Sequence, residues 1–236
     1  MVEQTLRIAS YNIRKARGLD QRRRPERTLQ VINDLGADVV VFQEADRRLG
    51  ARPPALPRRM IEAETDFTLV EVSDNGTSLG WHGNAVLMRD AFSIAKVTRI
   101  DLPGTEPRGA VLVDLEIGGG LSVVAAHLGL LRSDRRRQLG VLAGETASRG
   151  PTVIAGDFNE WSHRKGLEPL SDRFATHAPG HSYHASRPVA SLDRFALSHG
   201  VELRDAGVEQ GDIARRASDH LPVWSDISVP DAGVTS

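Results

Sequence analysis

Residues 152–159 read Thr152-Val153-Ile154-Ala155-Gly156-Asp157-Phe158-Asn159, an apolar run that ends in a glycine, a carboxylate and an amide. The run is too short for a helix and has the composition of a strand buried on both faces, with Gly156-Asp157 marking a turn at its end. The same shape recurs along the chain. Val39-Val40-Val41-Phe42 runs into Gln43-Glu44, Val123-Val124-Ala125-Ala126 runs into His127, and Ser10-Tyr11-Asn12 sits near the end of the first apolar segment. These segments predict central strands whose ends present polar residues, and function collects on loops held by a rigid sheet.

Working outward, further β-rich runs predict strands over residues 6–13, 37–42, 67–72, 85–88, 92–100, 110–117, 121–126, 152–155, 192–197, 201–205 and 221–229. Helical patterns separate only some of them. Residues 25–35 open with Pro25, place Leu29, Ile32 and Leu35 on one stripe and stop at Gly36, which predicts a helix. Residues 135–148 predict a second, with Leu139, Leu142 and Ala143 inward and the arginines outward. Elsewhere strand follows strand across turns such as Gly118-Gly119-Gly120 and Ser198-His199-Gly200. Mixed βα and ββ connections predict an α/β (α+β) architecture of mixed sheets with helices outside. The stretch Pro53-Pro54 to Pro57 and residues 74–83 read as surface loops. No linker or internal repeat is visible, so the expectation is one domain over residues 1–230 with a loose tail at 231–236.

The totals limit the function classes. The 236 residues are 40% hydrophobic and 26% charged, enough for an ordinary core, and the formal net charge of -1 is unlike that of a dedicated duplex-binding domain. Arg14, Lys15, Arg17, Arg22, Arg23, Arg24 and Arg27 nevertheless crowd one early stretch, and Arg132, Arg135, Arg136 and Arg137 form a second cluster. With no cysteine there is no disulfide framework, thiolate metal site or cysteine nucleophile. No apolar run approaches the ~20 residues of a membrane helix, and the N-terminus lacks a signal-peptide hydrophobic region. The expectation is a cytoplasmic protein, monomeric by default.

The polar residues at strand ends form a chemical inventory. It comprises the carboxylates Glu44, Asp157, Asp193 and Asp219, the amides Asn12 and Asn159, and the imidazoles His127 and His220. Singly, each is an ordinary turn former, cap or buried histidine. If the strand ends converge, oxygen-rich ligation suits Mg²⁺ or Mn²⁺ better than zinc, and the histidines suit phosphate donation or proton transfer.

In order along the chain stand Ser10-Tyr11-Asn12, Gln43-Glu44, Gly83-Asn84-Ala85-Val86-Leu87, Ala126-His127-Leu128, Gly156-Asp157-Phe158-Asn159, Leu192-Asp193-Arg194 and Ser218-Asp219-His220-Leu221-Pro222. This series resembles the endonuclease/exonuclease/phosphatase superfamily, in its bacterial branch, over nearly the whole chain. The resemblance implies a four-layered α/β sandwich, deoxyribonuclease I-like, of two packed mixed and mainly antiparallel sheets flanked by helices. It implies a divalent-metal-dependent phosphoester hydrolase. Glu44 would ligate the metal directly, with Asn12 and Asp219 ligating directly or through water. Asp157 would orient or deprotonate the attacking water, Asn159 would bond the phosphate or nucleophile, and Asp193 would hold His220. His127 would donate to phosphate or to the leaving oxygen. Asn84, Arg14 and Arg108 are candidates for the substrate-binding rim. Whether Asp157 or His220 is the formal base stays open.

The substrate also stays open. The early arginines favour nucleic acid, whereas the neutral total charge and 5% aromatic content favour a small or lipid phosphodiester. A phosphomonoesterase is the third reading. A non-catalytic binding module on the same fold would have lost Glu44, Asp157, Asn159 or His220, and none is lost.

Overall fold

The computed structural model describes residues 4–47, 50–163 and 165–229, so the expected tail at 231–236 lies outside the described residues. Among the described residues twelve strands form two six-stranded sheets. The first has the order β11 (Glu202–Val208), β12 (Val223–Val229), β1 (Gln4–Asn12), β2 (Val39–Gln43), β4 (Ala85–Arg89), β3 (Phe67–Leu69). The second runs β5 (Ile94–Leu102), β6 (Arg108–Leu115), β7 (Leu121–His127), β8 (Thr152–Asp157), β10 (Asp193–Ser198), β9 (Phe174–His177).

Each sheet contains one parallel pair, β1 with β2 and β7 with β8, and the remaining pairs are antiparallel. A parallel pair needs a crossover, and here it is a helix. Helix α1 (Pro25–Asp34) links β1 to β2, and α3 (Arg132–Thr146) links β7 to β8. The short α2 (Arg58–Glu64) and α4 (Ala214–Ala217) complete the α-helices among the described residues.

The side-chain period of two divides each central strand between separate cores. Val39 and Val41 point with Val123, Ala125, Val153, Ala155 and Phe195 into the layer between the sheets. Val40 and Phe42 pack outward with Leu29 and Ile32 of α1, while Val124, Ala126 and Ile154 pack outward against Leu139 and Leu142 of α3. This is why β2, β7, β8 and β10 are buried along their whole length. The architecture is the four-layered α/β sandwich that the resemblance implies, and it agrees with the mixed connections read from the sequence.

The differences in detail have local causes. Helix α2 follows the Pro53–Pro57 loop directly, in a segment where the sequence reading places no element; Pro57 is its extended N-cap, and Ile61 is the residue that buries it. Strand β9 is a four-residue edge strand without a continuous apolar run to announce it. Helix α3 begins three residues before the expected start, and not all of its arginines face outward. Arg135 is 5% exposed, because its guanidinium donates to the Gly129 and Leu130 carbonyls and to Glu160. Between β7 and β8 glycine is obligatory at 156, since a Cβ there would lie 1.8 Å from the Ala126 carbonyl oxygen. Among the described residues no helix is long and apolar enough to cross a membrane.

Candidate active site

Strand register brings the polar ends together. Asn12 is paired with Gln43 at the end of β1 and β2, while Asp157 lies between His127 of β7 and Asp193 of β10. The two parallel pairs face one another across the inner core, so both sets of strand ends open on the same edge of the sandwich. The Asn12 amide crosses the interface and donates to Asp157 Oδ2 at 3.1 Å.

Asp157 is the centre of the assembly. It is 1% exposed, and its Oδ2 lies 3.4 Å from His127 Nε2 and 3.7 Å from His220 Nε2. Its Oδ1 accepts the Asn159 backbone N–H at 2.9 Å. The Asn159 side chain donates to the Leu128 carbonyl at 2.9 Å, which ties the loop after β8 to the loop after β7. Burial raises the Asp157 carboxyl, His220 pulls it down and Asp193 pushes it up, leaving it at about 6.

His220 is held from behind. Its Nδ1 donates to Asp193 Oδ2 at 2.8 Å, and Ser182 Oγ donates to the same oxygen at 2.5 Å. Tyr183 covers the imidazole with ring centroids 4.9 Å apart, and Ser218 Oγ fastens the segment to β1 by donating to the Asn12 carbonyl at 2.7 Å. Burial alone disfavours an imidazolium here. The carboxylates of Asp193 and Asp157, with the hydrogen bond to Asp193, outweigh it and lift His220 to about 10.

The other oxygen donors meet the turn after β1. Glu44 forms an ion pair with the Lys15 ammonium, Asp219 Oδ2 lies 3.3 Å from Arg14 Nε, and Asn12 Oδ1 accepts the Arg14 backbone N–H at 3.1 Å. Each of these oxygens thus faces a cationic group or an N–H donor, an oxygen-only set suited to a hard divalent cation. A second possible cluster is Asp157, Asp193 and His220, whose ligand atoms lie within 4.8 Å of one another. Its three members are buried and already hydrogen-bonded, which leaves little room for the waters that Mg²⁺ retains. Glu44 and Asp219 are more accessible, at 18% and 22% side-chain exposure.

Of the expected rim residues, Arg14 reaches Asp219 as described. Arg108 is 7% exposed and pairs with Glu106 at 2.8 Å while lining a cleft beside Glu44 and His127. Asn84 is fully buried and its amide donates to the Gly109 and Trp81 carbonyls, so it ties the loop at Trp81 to the start of β6. Of the remaining early arginines, Arg17, Arg22, Arg23 and Arg24 are on the surface, and Arg27 is half-buried and pairs with Asp20 at 2.8 Å.

Four contributors escaped the sequence reading. Lys15 stood there only as one of several basic residues, and nothing in Ser182 or Tyr183 announces a contact with the Asp193–His220 pair. Glu160, 1% exposed, takes ion pairs from Arg132 at 2.7 Å and Arg135 at 2.8 Å, and so locks the loop that carries Asn159. Its place directly after Gly156-Asp157-Phe158-Asn159 was the one available signal.

Two packed mixed sheets with this cluster at one edge define a phosphoesterase-type α/β sandwich. The chain belongs to the endonuclease/exonuclease/phosphatase family, whose model matches residues 9–220. Members of this family are phosphoester hydrolases. The chain is 30% identical over 162 residues to the uncharacterized protein YbhP of Escherichia coli, a match covering 63% of each; it thus spans 63% of that relative's length. Among solved structures, a functionally unknown conserved protein of Enterococcus faecalis superposes with TM-score 0.79 at 20% identity, covering 95% of this chain and 100% of that one. An endonuclease/exonuclease/phosphatase of Beutenbergia cavernae gives TM-score 0.75 at 23% identity, covering 96% of this chain and 72% of that one. D. rerio TDP2, complexed with a single-strand DNA product, gives 0.72 at 18%, covering 95% of this chain and 99% of that one.

Proposed function

We propose that the protein is a divalent-metal-dependent phosphodiesterase that attacks phosphorus with a water activated at Asp157. The observation that supports this most directly is Asp157 itself, a buried carboxylate with two imidazole Nε2 atoms within 3.7 Å of one oxygen. Such a grouping supplies one proton acceptor and two donors at a single point. Phosphoester hydrolysis requires that combination, because charge accumulates on the oxygens around phosphorus as water attacks.

Glu44, with Asn12 and Asp219, would hold Mg²⁺ or Mn²⁺. When bound, the cation would supply Lewis-acid stabilisation of the phosphoryl charge. The chain's own residues do the rest. Asp157, ionised above about pH 6, accepts a proton from the attacking water, and Asn159 and Asn12 fix the carboxylate's orientation. His220 is kept in the imidazolium form by Asp193, and its Nε2–H, 3.7 Å from Asp157 Oδ2, is a donor for a phosphoryl oxygen. His127 supplies the second donor, to phosphate or to the departing oxygen.

Arg14 and Arg108 are assigned to the substrate rim, and Asn84 to its support. The substrate is a phosphodiester of a nucleic acid, a lipid or a small molecule.

The test is hydrolysis of bis-p-nitrophenyl phosphate beside p-nitrophenyl phosphate, each with Mg²⁺, Mn²⁺ or EDTA. Metal-dependent turnover of the diester, lost in Asp157→Ala, is the expected result. Chelator-resistant turnover contradicts the metal assignment, and turnover of the monoester alone replaces the diesterase reading with a phosphatase.

A further inference from the structure

Beside Glu44 and His127 lies a cleft of about 220 Å³, lined also by Lys15, Arg47, Arg52 and Arg108. It is smaller than the roughly 300–1,000 Å³ that drug-sized ligands fill, and it suits one compact group with its waters. Its acids are all engaged. Glu44 pairs with Lys15, and Glu106 pairs with Arg108. Asp46, 4% exposed, turns its carboxylate to the backbone N–H groups of Leu79 and Gly80 at 2.7 and 3.3 Å.

The cations are not all engaged. Among the described residues Arg47 and Arg52 form no ion pair; the Arg52 charge acts on the Asp46 carboxyl from a distance, and its guanidinium contacts His82 Nδ1 at 3.4 Å. That contact assigns the imidazole proton to Nε2, which lies 3.6 Å from Asp101 Oδ1. Arg108 adds an independent sign: it is 7% exposed, and its buried Nε has no hydrogen-bond partner. A buried guanidinium N–H without an acceptor is costly, and a planar fork of such donors matches phosphate. The cleft therefore has an excess of positive charge and a donor in want of an acceptor, and a small oxyanion answers both.

We infer that this cleft is a second anion subsite, which seats a phosphate carried by the substrate beside its scissile phosphodiester. The assignment rests on the phosphodiesterase reading for its catalytic consequence, but anion binding itself does not. The preferred substrate is then a diester with a neighbouring phosphate, from either a nucleotide strand or a polyphosphorylated small molecule.

Binding is measured first, with inorganic phosphate and pyrophosphate titrated into the protein in EDTA, where turnover plays no part. Trp81 packs edge-on to His82 with centroids 4.8 Å apart, so its fluorescence reports occupancy of the cleft. Saturable binding is expected, weakened on the order of 10-fold in Arg52→Met and again in Arg47→Met, since each removes a charge-assisted donor. Kinetics come second, with thymidine 5′-(p-nitrophenyl phosphate) compared with its 3′-phosphorylated form, and a glycerol p-nitrophenyl phosphodiester compared with its phosphorylated form.

The phosphate should raise kcat/KM, and Arg52→Met should abolish that preference while leaving bis-p-nitrophenyl phosphate turnover unchanged. Preference within the thymidine pair alone identifies a nucleotide source, and preference within the glycerol pair alone a small-molecule source. Phosphate binding that persists unchanged in the Arg47→Met and Arg52→Met variants overturns the subsite. Loss of all turnover with arginine-dependent anion binding retained overturns the phosphodiesterase reading and leaves the subsite standing.

Discussion

Replacing Asp193 by asparagine keeps the shape behind His220 and removes one charge. In the native protein Asp193 Oδ2 accepts the imidazole N–H at 2.8 Å, in a site where neither residue is more than 6% exposed. A hydrogen bond to a charged group contributes about 1.5–3 kcal/mol, and one pKa unit corresponds to about 1.4 kcal/mol. The substitution should thus lower His220 by roughly one to two units. From about 10 it would fall to roughly 8–9, so at pH 7 the imidazolium would still dominate. The loss of kcat/KM at pH 7 should accordingly stay within about 10-fold.

The larger effect is on the pH profile. The alkaline limb, where the His220 donor is lost, should move downward by those one to two units, again roughly. The acid limb should also move to lower pH, because Asp193 is one of the charges that raise Asp157 to about 6. A bound divalent cation lowers the Asp157 limb further, so both proteins are compared at one metal concentration. The assay is p-nitrophenolate release from bis-p-nitrophenyl phosphate between pH 5 and 10.5, with circular dichroism to confirm the fold. An Asp193→Asn enzyme that is natively folded and has an unmoved alkaline limb would refute the assignment of Asp193 as the group that holds His220 protonated.

Asp157→Asn should lower kcat on the order of 10²–10⁴ with little change in thermal midpoint, and retention of more than a tenth of the activity would remove Asp157 from the mechanism. Glu44→Gln should raise the Mg²⁺ concentration for half-maximal activity by more than about 10-fold; an unchanged midpoint would place the cation elsewhere. Glu160→Ala leaves the buried Arg135 without its carboxylate and should cost about 3–5 kcal/mol in urea denaturation. Glu160 is held down at about 2: burial opposes that, but hydrogen bonds from Arg132, Arg135 and the Ser162 N–H outweigh it. Its stabilising contribution is therefore complete above the ordinary carboxylate range and disappears as pH falls toward 2. Acid unfolding that begins at the same pH in wild type and Glu160→Ala would contradict this.

The local chemistry of this chain is written in its order of residues. Continuous apolar runs such as Val39-Val40-Val41-Phe42 can be buried on both faces only at the centre of a covered sheet, so layered sheets were legible before any contact was known. The residues closing those runs were legible for the same reason, since a strand end is where a buried backbone returns to solvent. Pairing was not legible. Which strands neighbour one another depends on contacts between residues far apart in the chain, and Asp157 acquires its raised pKa from the burial that sheet packing imposes and from Asp193, which register sets beside it. Lys15 against Glu44, Ser182 and Tyr183 against the Asp193–His220 pair, and Arg47 with Arg52 around one cleft are likewise products of tertiary structure. A charge or a hydroxyl has no fixed meaning in sequence, because its energy is set by what faces it and by how much water is excluded. The strands and their polar ends came from the order of the amino acids, and the electrostatics that turn those ends into a candidate active site came from packing the two sheets face to face.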